Sequence, residues 1–247
     1  MIKLTTLAVL GCFSIGTFAT EPASEKQELL IANLLTQQVN QQISIKRSVS
    51  ALLKRTPEQV DSVVAIALEL YPEDYKQVIQ GAIEAEPALT CDVIAAAMDA
   101  DVGTYEEIIE VAIKTEPAYA MEIVQTVAQE NPQELETIVR VAITTEPVVS
   151  NDIFDAAMLT HPERMVDILK GAIQAVPKQV ASLVQSTLSL FPDDSDEVVG
   201  IAIRSSKAEH AQQIVDAAVI AGIDEDSAMA AAVSAGADKS KLAKANK

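Results

Sequence analysis

The stretch Gly81-Ala82-Ile83-Glu84-Ala85-Glu86-Pro87 returns thirty residues later as Val111-Ala112-Ile113-Lys114-Thr115-Glu116-Pro117. It returns again as Val141-Ala142-Ile143-Thr144-Thr145-Glu146-Pro147 and as Gly171-Ala172-Ile173-Gln174-Ala175-Val176-Pro177. The prolines show a finer period inside this one. They fall at 57, 72, 87, 117, 132, 147, 162, 177 and 192, a single fifteen-residue phase with Val102 in the one slot that lacks proline. In blocks of fifteen with proline first, the seventh and eighth places are aliphatic or aromatic throughout, from Val63-Val64 to Val198-Val199. The eleventh place is small in nearly every block (Ala67, Ala82, Ala97, Ala112, Ala142), and the twelfth is mostly large (Leu68, Ile83, Ile113, Ile143). With the fourth place (Val60, Tyr75, Leu135, Met165), this spacing is the stripe of an amphipathic helix and not the alternation of a strand.

Proline suits the start of each helix, because the first N–H there has no intrahelical partner, and it also ends the helix before it. Where slot 102 lacks proline, Thr104 and Glu107 have capping-box spacing; where slot 207 holds lysine, Ser206 and Glu209 do; Thr56 with Gln59 doubles the signal at Pro57. Helices of ten to thirteen residues joined by short turns must run antiparallel to their neighbours, and each is marginal alone. Stacking is therefore obligatory, with the small eleventh place letting helix backbones approach. Because alternate blocks resemble each other more than adjacent ones, the unit is a thirty-residue hairpin.

These features predict an all-α fold, a right-handed α-solenoid of antiparallel helical hairpins over residues 57–236. The array resembles the α-solenoid class to which tetratricopeptide and HEAT-type proteins belong. The likeness is one of architecture, since the unit is shorter than a tetratricopeptide repeat and the chain has no tryptophan for the Trp-Leu-Gly-Tyr pattern. Residues 20–56 read as capping helices, with amphipathic segments at Leu29–Leu35 and Val49–Leu53 and a connection at Gln37–Gln42. Residues 237–247 read as a basic disordered tail.

Ahead of the array, Lys3 precedes an apolar run from Leu4 to Ala19, too short to span a membrane and ending in the small-x-small pattern Thr17-Phe18-Ala19. Residues 1–19 are expected to be a signal peptide directing export to the periplasm or beyond the cell. An alternative takes Val9-Leu10-Gly11-Cys12 as a lipobox, giving an envelope lipoprotein anchored through Cys12. With the leader removed Cys91 is the one remaining cysteine, so packing and not a disulfide must hold the fold, and its apolar neighbours predict a buried, inert thiol.

Charge divides the chain. Residues 21–56 carry five Lys/Arg against three Asp/Glu, residues 57–236 eight against thirty-two, and residues 237–247 four against one. An array so acidic repels phosphates, which excludes nucleic acid and leaves basic or neutral partners. His161 and His210 lack neighbouring cysteines and read as solvated surface histidines, so no metal site is expected. Asp193-Asp194-Ser195-Asp196-Glu197 and Asp224-Glu225-Asp226 lack the glycine and distant glutamate of a calcium loop, and read as acidic helix starts. No nucleophile–base pair stands out, and no segment departs from the repeats to form a catalytic domain.

The expectation is an exported, non-catalytic scaffold, without cofactor, that binds a protein or peptide. The alternative is a self-assembling structural protein of the cell surface or matrix. Lys239, Lys241, Lys244 and Lys247 leave contact with anionic lipid or polysaccharide open.

Overall fold

The computed structural model describes residues 21–243. The expected signal peptide and the lipobox cysteine Cys12 lie outside the described residues, as do Lys244 and Lys247. Among the described residues are fourteen α-helices and no strand: α1 (Glu21–Asn40), α2 (Ile45–Leu53), α3 (Val60–Leu70), α4 (Tyr75–Ala85), α5 (Thr90–Asp99), α6 (Tyr105–Thr115), α7 (Ala120–Glu130), α8 (Leu135–Thr145), α9 (Ser150–Thr160), α10 (Met165–Ala175), α11 (Val180–Leu190), α12 (Ser195–Ser205), α13 (Ala211–Ile220) and α14 (Glu225–Ser234). Each helix packs on the next and on the next but one, so the odd helices form one layer and the even helices the other. This is the expected all-α solenoid of hairpins.

The fifteen-residue block resolves into three parts. In the block of α4, Pro72–Asp74 forms a three-residue 3₁₀ turn, Tyr75–Ala85 an eleven-residue α-helix, and Glu86 a single linking residue before Pro87. The linking residue stands at φ −149°, ψ 89°, outside the helical region, as the following proline ring demands. Its N–H still closes the helix, donating to Ala82 O at 3.2 Å, and its carbonyl accepts from Leu89 N at 3.0 Å in the next turn. Proline supplies no donor where none is needed, so the junction leaves few orphan backbone groups.

Both central aliphatic places of each block are no more than 2% exposed from Val63 to Val199. The eleventh place is buried in every block, including Thr187, whose hydroxyl donates to Leu183 O. One continuous core results, running between the two layers from Ile31 to Leu242.

Three helices start on a side-chain cap with no 3₁₀ turn before them. Before α2, α6 and α14 the preceding helix is closed at a residue with positive φ (Gln42, Asp101, Gly222), and a side chain caps the next one (Ser44, Thr104, Asp224). At Gly222 the N–H of Ile223 reaches back to Ala218 O and that of Gly222 to Val219 O, the paired bonds of a Schellman stop. The capping box at Thr104 and Glu107 is formed as expected.

The other two boxes are not formed. Thr56 turns its hydroxyl back to Leu52 O, closing α2 instead of opening the next turn. At Ser206 the block contains one extra residue: the 3₁₀ turn is Ala208–His210, Lys207 precedes it, and Ser206 Oγ is buried without a partner.

The ends also differ from expectation. The glutamines at 37 and 38 belong to α1, which runs to Asn40, because glutamine is a good helix former and the chain turns only at the positive φ of Gln42. At the other end Lys239–Lys241 forms a 3₁₀ turn, Leu242 is buried, and Ala243 exchanges two backbone hydrogen bonds with the side chain of Gln212 on α13.

Candidate interaction face

The two outward faces of the solenoid differ in charge. The odd helices from α3 to α13 contain no lysine or arginine and carry Asp61, Glu69, Asp92, Asp99, Glu122, Glu130, Asp152, Asp155 and Asp216. Within residues 57–236, Lys76, Lys114, Arg140, Lys170 and Arg204 all lie on even helices, and Arg164, Lys178 and Lys207 lie in the junctions.

On the even layer three lysines bridge neighbouring helices, and Lys114 pairs with Glu110 within α6. Lys46 on α2 reaches Glu84 on α4, Lys76 on α4 reaches Glu107 on α6, and Lys170 on α10 reaches Glu136 on α8, each at 2.7 Å. Glu107 also accepts from the backbone of its capping partner Thr104. The Lys76 ammonium, then Tyr75 and the Thr104 backbone, hold its carboxyl down at about 2. Lys76 Nζ lies 5.5 Å from the centre of the Tyr75 ring, a cation–π contact. The even face is thus in large part paired within its own layer.

The odd face is not. Between α3 and α5 it holds a groove of about 730 Å³. Ala65 at the ninth place of its block, with Ala95 and Ala96 at the ninth and tenth of theirs, forms the floor with Leu68. Asp61 and Glu69 on α3 line one side, Asp92 and Asp99 on α5 the other; all four are exposed, and none forms an ion pair. Further along the layer the ninth place is larger and polar, and side chains bridge the helices. Gln125 on α7 donates to Thr160 on α9, and Asp155 on α9 accepts from Ser186 on α11 at 2.7 Å. The groove exists because alanine replaces those bridging side chains in two successive odd blocks.

Cys91 is half-buried on α5 and not buried, since the fifth place lies at the margin of the core stripe; its Sγ lies 4.0 Å from Glu122 O of α7. Both histidines are largely covered and do not stand free on the surface: their side chains are 15% (His161) and 14% (His210) exposed. His161 is a linking residue whose ring folds into the junction with Nε2 buried and unpartnered, while His210 Nδ1 meets Gln213 Oε1 at 3.2 Å. No cluster of metal-ligating side chains occurs among the described residues. The acidic runs take their expected places: Asp193 and Asp194 lie in the turn before α12, and Asp224 caps α14 through Ser227 N. No helix among the described residues is long and apolar enough to cross a membrane.

The chain matches no protein-family model, no curated protein and no solved structure. The fifteen-residue period marks the core places and not the ninth, where the odd blocks change from Ala65 and Ala95 to Gln125 and Asp155; the signal lies in comparing blocks by helix parity, which also separates the cations from the odd helices.

Proposed function

We propose that this chain is an exported, non-catalytic interaction scaffold that holds a protein or peptide segment against the odd layer. The α3–α5 groove carries the reading. It joins an apolar floor to unpaired carboxylates on a rigid repeat surface, and repeat arrays bind through such variable surface places while the core places stay constant. Export rests on the apolar leader from Leu4 to Ala19.

The experiment fills the groove with the residue that occupies the same place in α7 and α11, as Ala65→Gln with Ala95→Gln. Both sites are exposed, so the fold should be retained, checked by circular dichroism. The natural chain and the filled chain are then used side by side to capture partners from envelope extracts. A partner retained by the first and lost by the second supports the reading; identical recoveries, or none, overturn it.

Self-assembly is a second reading, favoured by Leu29 and Leu30, which stand exposed on α1, the first described helix. Light scattering that finds monomer over a wide concentration range removes this reading.

A further inference from the structure

Resting on the scaffold reading, we propose that the α3–α5 groove takes a cationic amphipathic helix of a partner protein, with lysines or arginines along both flanks and small apolar residues between them. The chemistry of the lining leaves this occupant and disfavours the other common ones. An extended strand needs free backbone donors and acceptors to pair with, and the groove wall is formed by the sides of two α-helices whose backbone bonds are internal. A polyproline segment needs aromatic walls, and no aromatic residue lines this groove. A helix brings its own backbone bonds satisfied and packs as a ridge between two helices, with alanine at the contact allowing close approach.

The carboxylates define the spacing of the cations. Asp61 and Glu69 are eight residues apart on α3, about 12 Å along the axis, and Asp92 and Asp99 are seven apart on α5, about 10.5 Å. A partner helix that matches both rims places cations about two turns apart on each flank, at i and i+7 or i+8. Its minimum length is then roughly ten to twelve residues. The odd helices from α3 to α13 carry no lysine or arginine, so none of them supplies a cation to those rims. The α3 and α5 carboxylates become paired only when the partner arrives. Close pairs around an apolar floor are partly sheltered from salt, whereas the repulsion an acidic partner would meet is long-ranged.

The test uses three synthetic helical peptides of fourteen residues and the full natural chain, with fluorescence anisotropy in 0.15 M salt. The first peptide has an alanine/leucine face flanked by lysines at i and i+7. The second replaces those lysines with glutamate. The third is the chain's own segment from Asp238 to Lys247, extended with Gly/Ser to equal length. The proposal expects the first peptide to bind at least tenfold more tightly than either of the others. It also expects at least a tenfold loss against Asp61→Asn with Asp99→Asn, and against the filled groove of Ala65→Gln with Ala95→Gln.

Equal binding of lysine and glutamate peptides overturns it. So does undiminished binding to the filled groove, or displacement of the lysine peptide by spermidine at matched charge, which would show a diffuse acidic surface. Tightest binding by the chain's own segment would make the occupant a second copy and would also overturn it. Failure of the peptides, together with loss of a captured partner on filling the groove, removes the cationic helix and leaves the scaffold standing. Unchanged capture removes the scaffold itself.

Discussion

A Cβ built on Gly81 would stand 2.3 Å from the carbonyl oxygen of Lys46, and one on Gly171 would stand 2.2 Å from that of Glu136. Both neighbours are helix backbone, which cannot rotate away as a side chain can. Gly81→Ala and Gly171→Ala should therefore each destabilise by about 1–3 kcal/mol in urea unfolding. Gly200→Ala is the control: its nearest obstacle is the flexible end of Arg204 at 3.1 Å, and the gain in helix propensity should leave it neutral or up to about 1 kcal/mol more stable. Ala112→Leu should cost about 1–3 kcal/mol for a different reason, since the eleventh place is sealed between the layers. Glu107 offers a test of charge. Its folded value near 2 lies below its ordinary 4.5, so the stability it contributes is complete above that ordinary value and disappears as pH falls through about 2. Carbon-detected titration of its carboxyl should place the midpoint there. At this scale the sequence was most readable where one side chain must be buried, as at Val63 or Ala112. It was least readable where the determinant is the absence of a side chain, because Gly81 and Gly171 differ from Val111 and Val141 at the same place only in the spacing they permit.

Two kinds of joint separate most of the elements, and substitutions should tell them apart. At a proline joint the ring starts the turn, joined at Pro147 by a bond from Val148 N to Glu146; at a capped joint a side chain does so. Thr104→Ala removes the acceptor for Glu107 N, bonded at 3.3 Å, and should cost about 0.5–2 kcal/mol in thermal unfolding. Ser206→Ala should be neutral or stabilising, because it removes a buried hydroxyl that has no partner. Opposite behaviour at the two sites would mean that spacing alone identifies a cap. The sequence placed every proline-led helix and one of the three capping boxes. It misread the others because serine or threonine followed by a longer polar residue is only a local pattern: at Ser206 the extra residue moves the turn onward, and at Thr56 the hydroxyl finds Leu52 O first.

Across the whole molecule the layers are not evenly spaced. Beside Gly171 the even helices α8 and α10 lie in intimate contact, while the odd pair α9 and α11 opposite them meets at only a few residues. The solenoid therefore bends there toward its even side. Gly171→Val, the residue type found at 111 and 141, should separate α8 from α10 and lengthen the particle. Small-angle scattering would register this as a larger maximum dimension while circular dichroism stays helical. The hairpin array was legible from the prolines, but the groove was not, because it arises from two helices thirty residues apart whose alanines look unremarkable in either block alone. The extra residue at Ser206 has a wider meaning for this architecture. An insertion inside a long continuous helix would rotate everything beyond it by about 100°. Here Ile214, Val215 and Ala218 simply take up the core positions one number later, all fully buried. Each junction acts as a fresh origin, so a miscount is forgotten at the next turn, and such a chain can gain or lose length without its later parts losing their place.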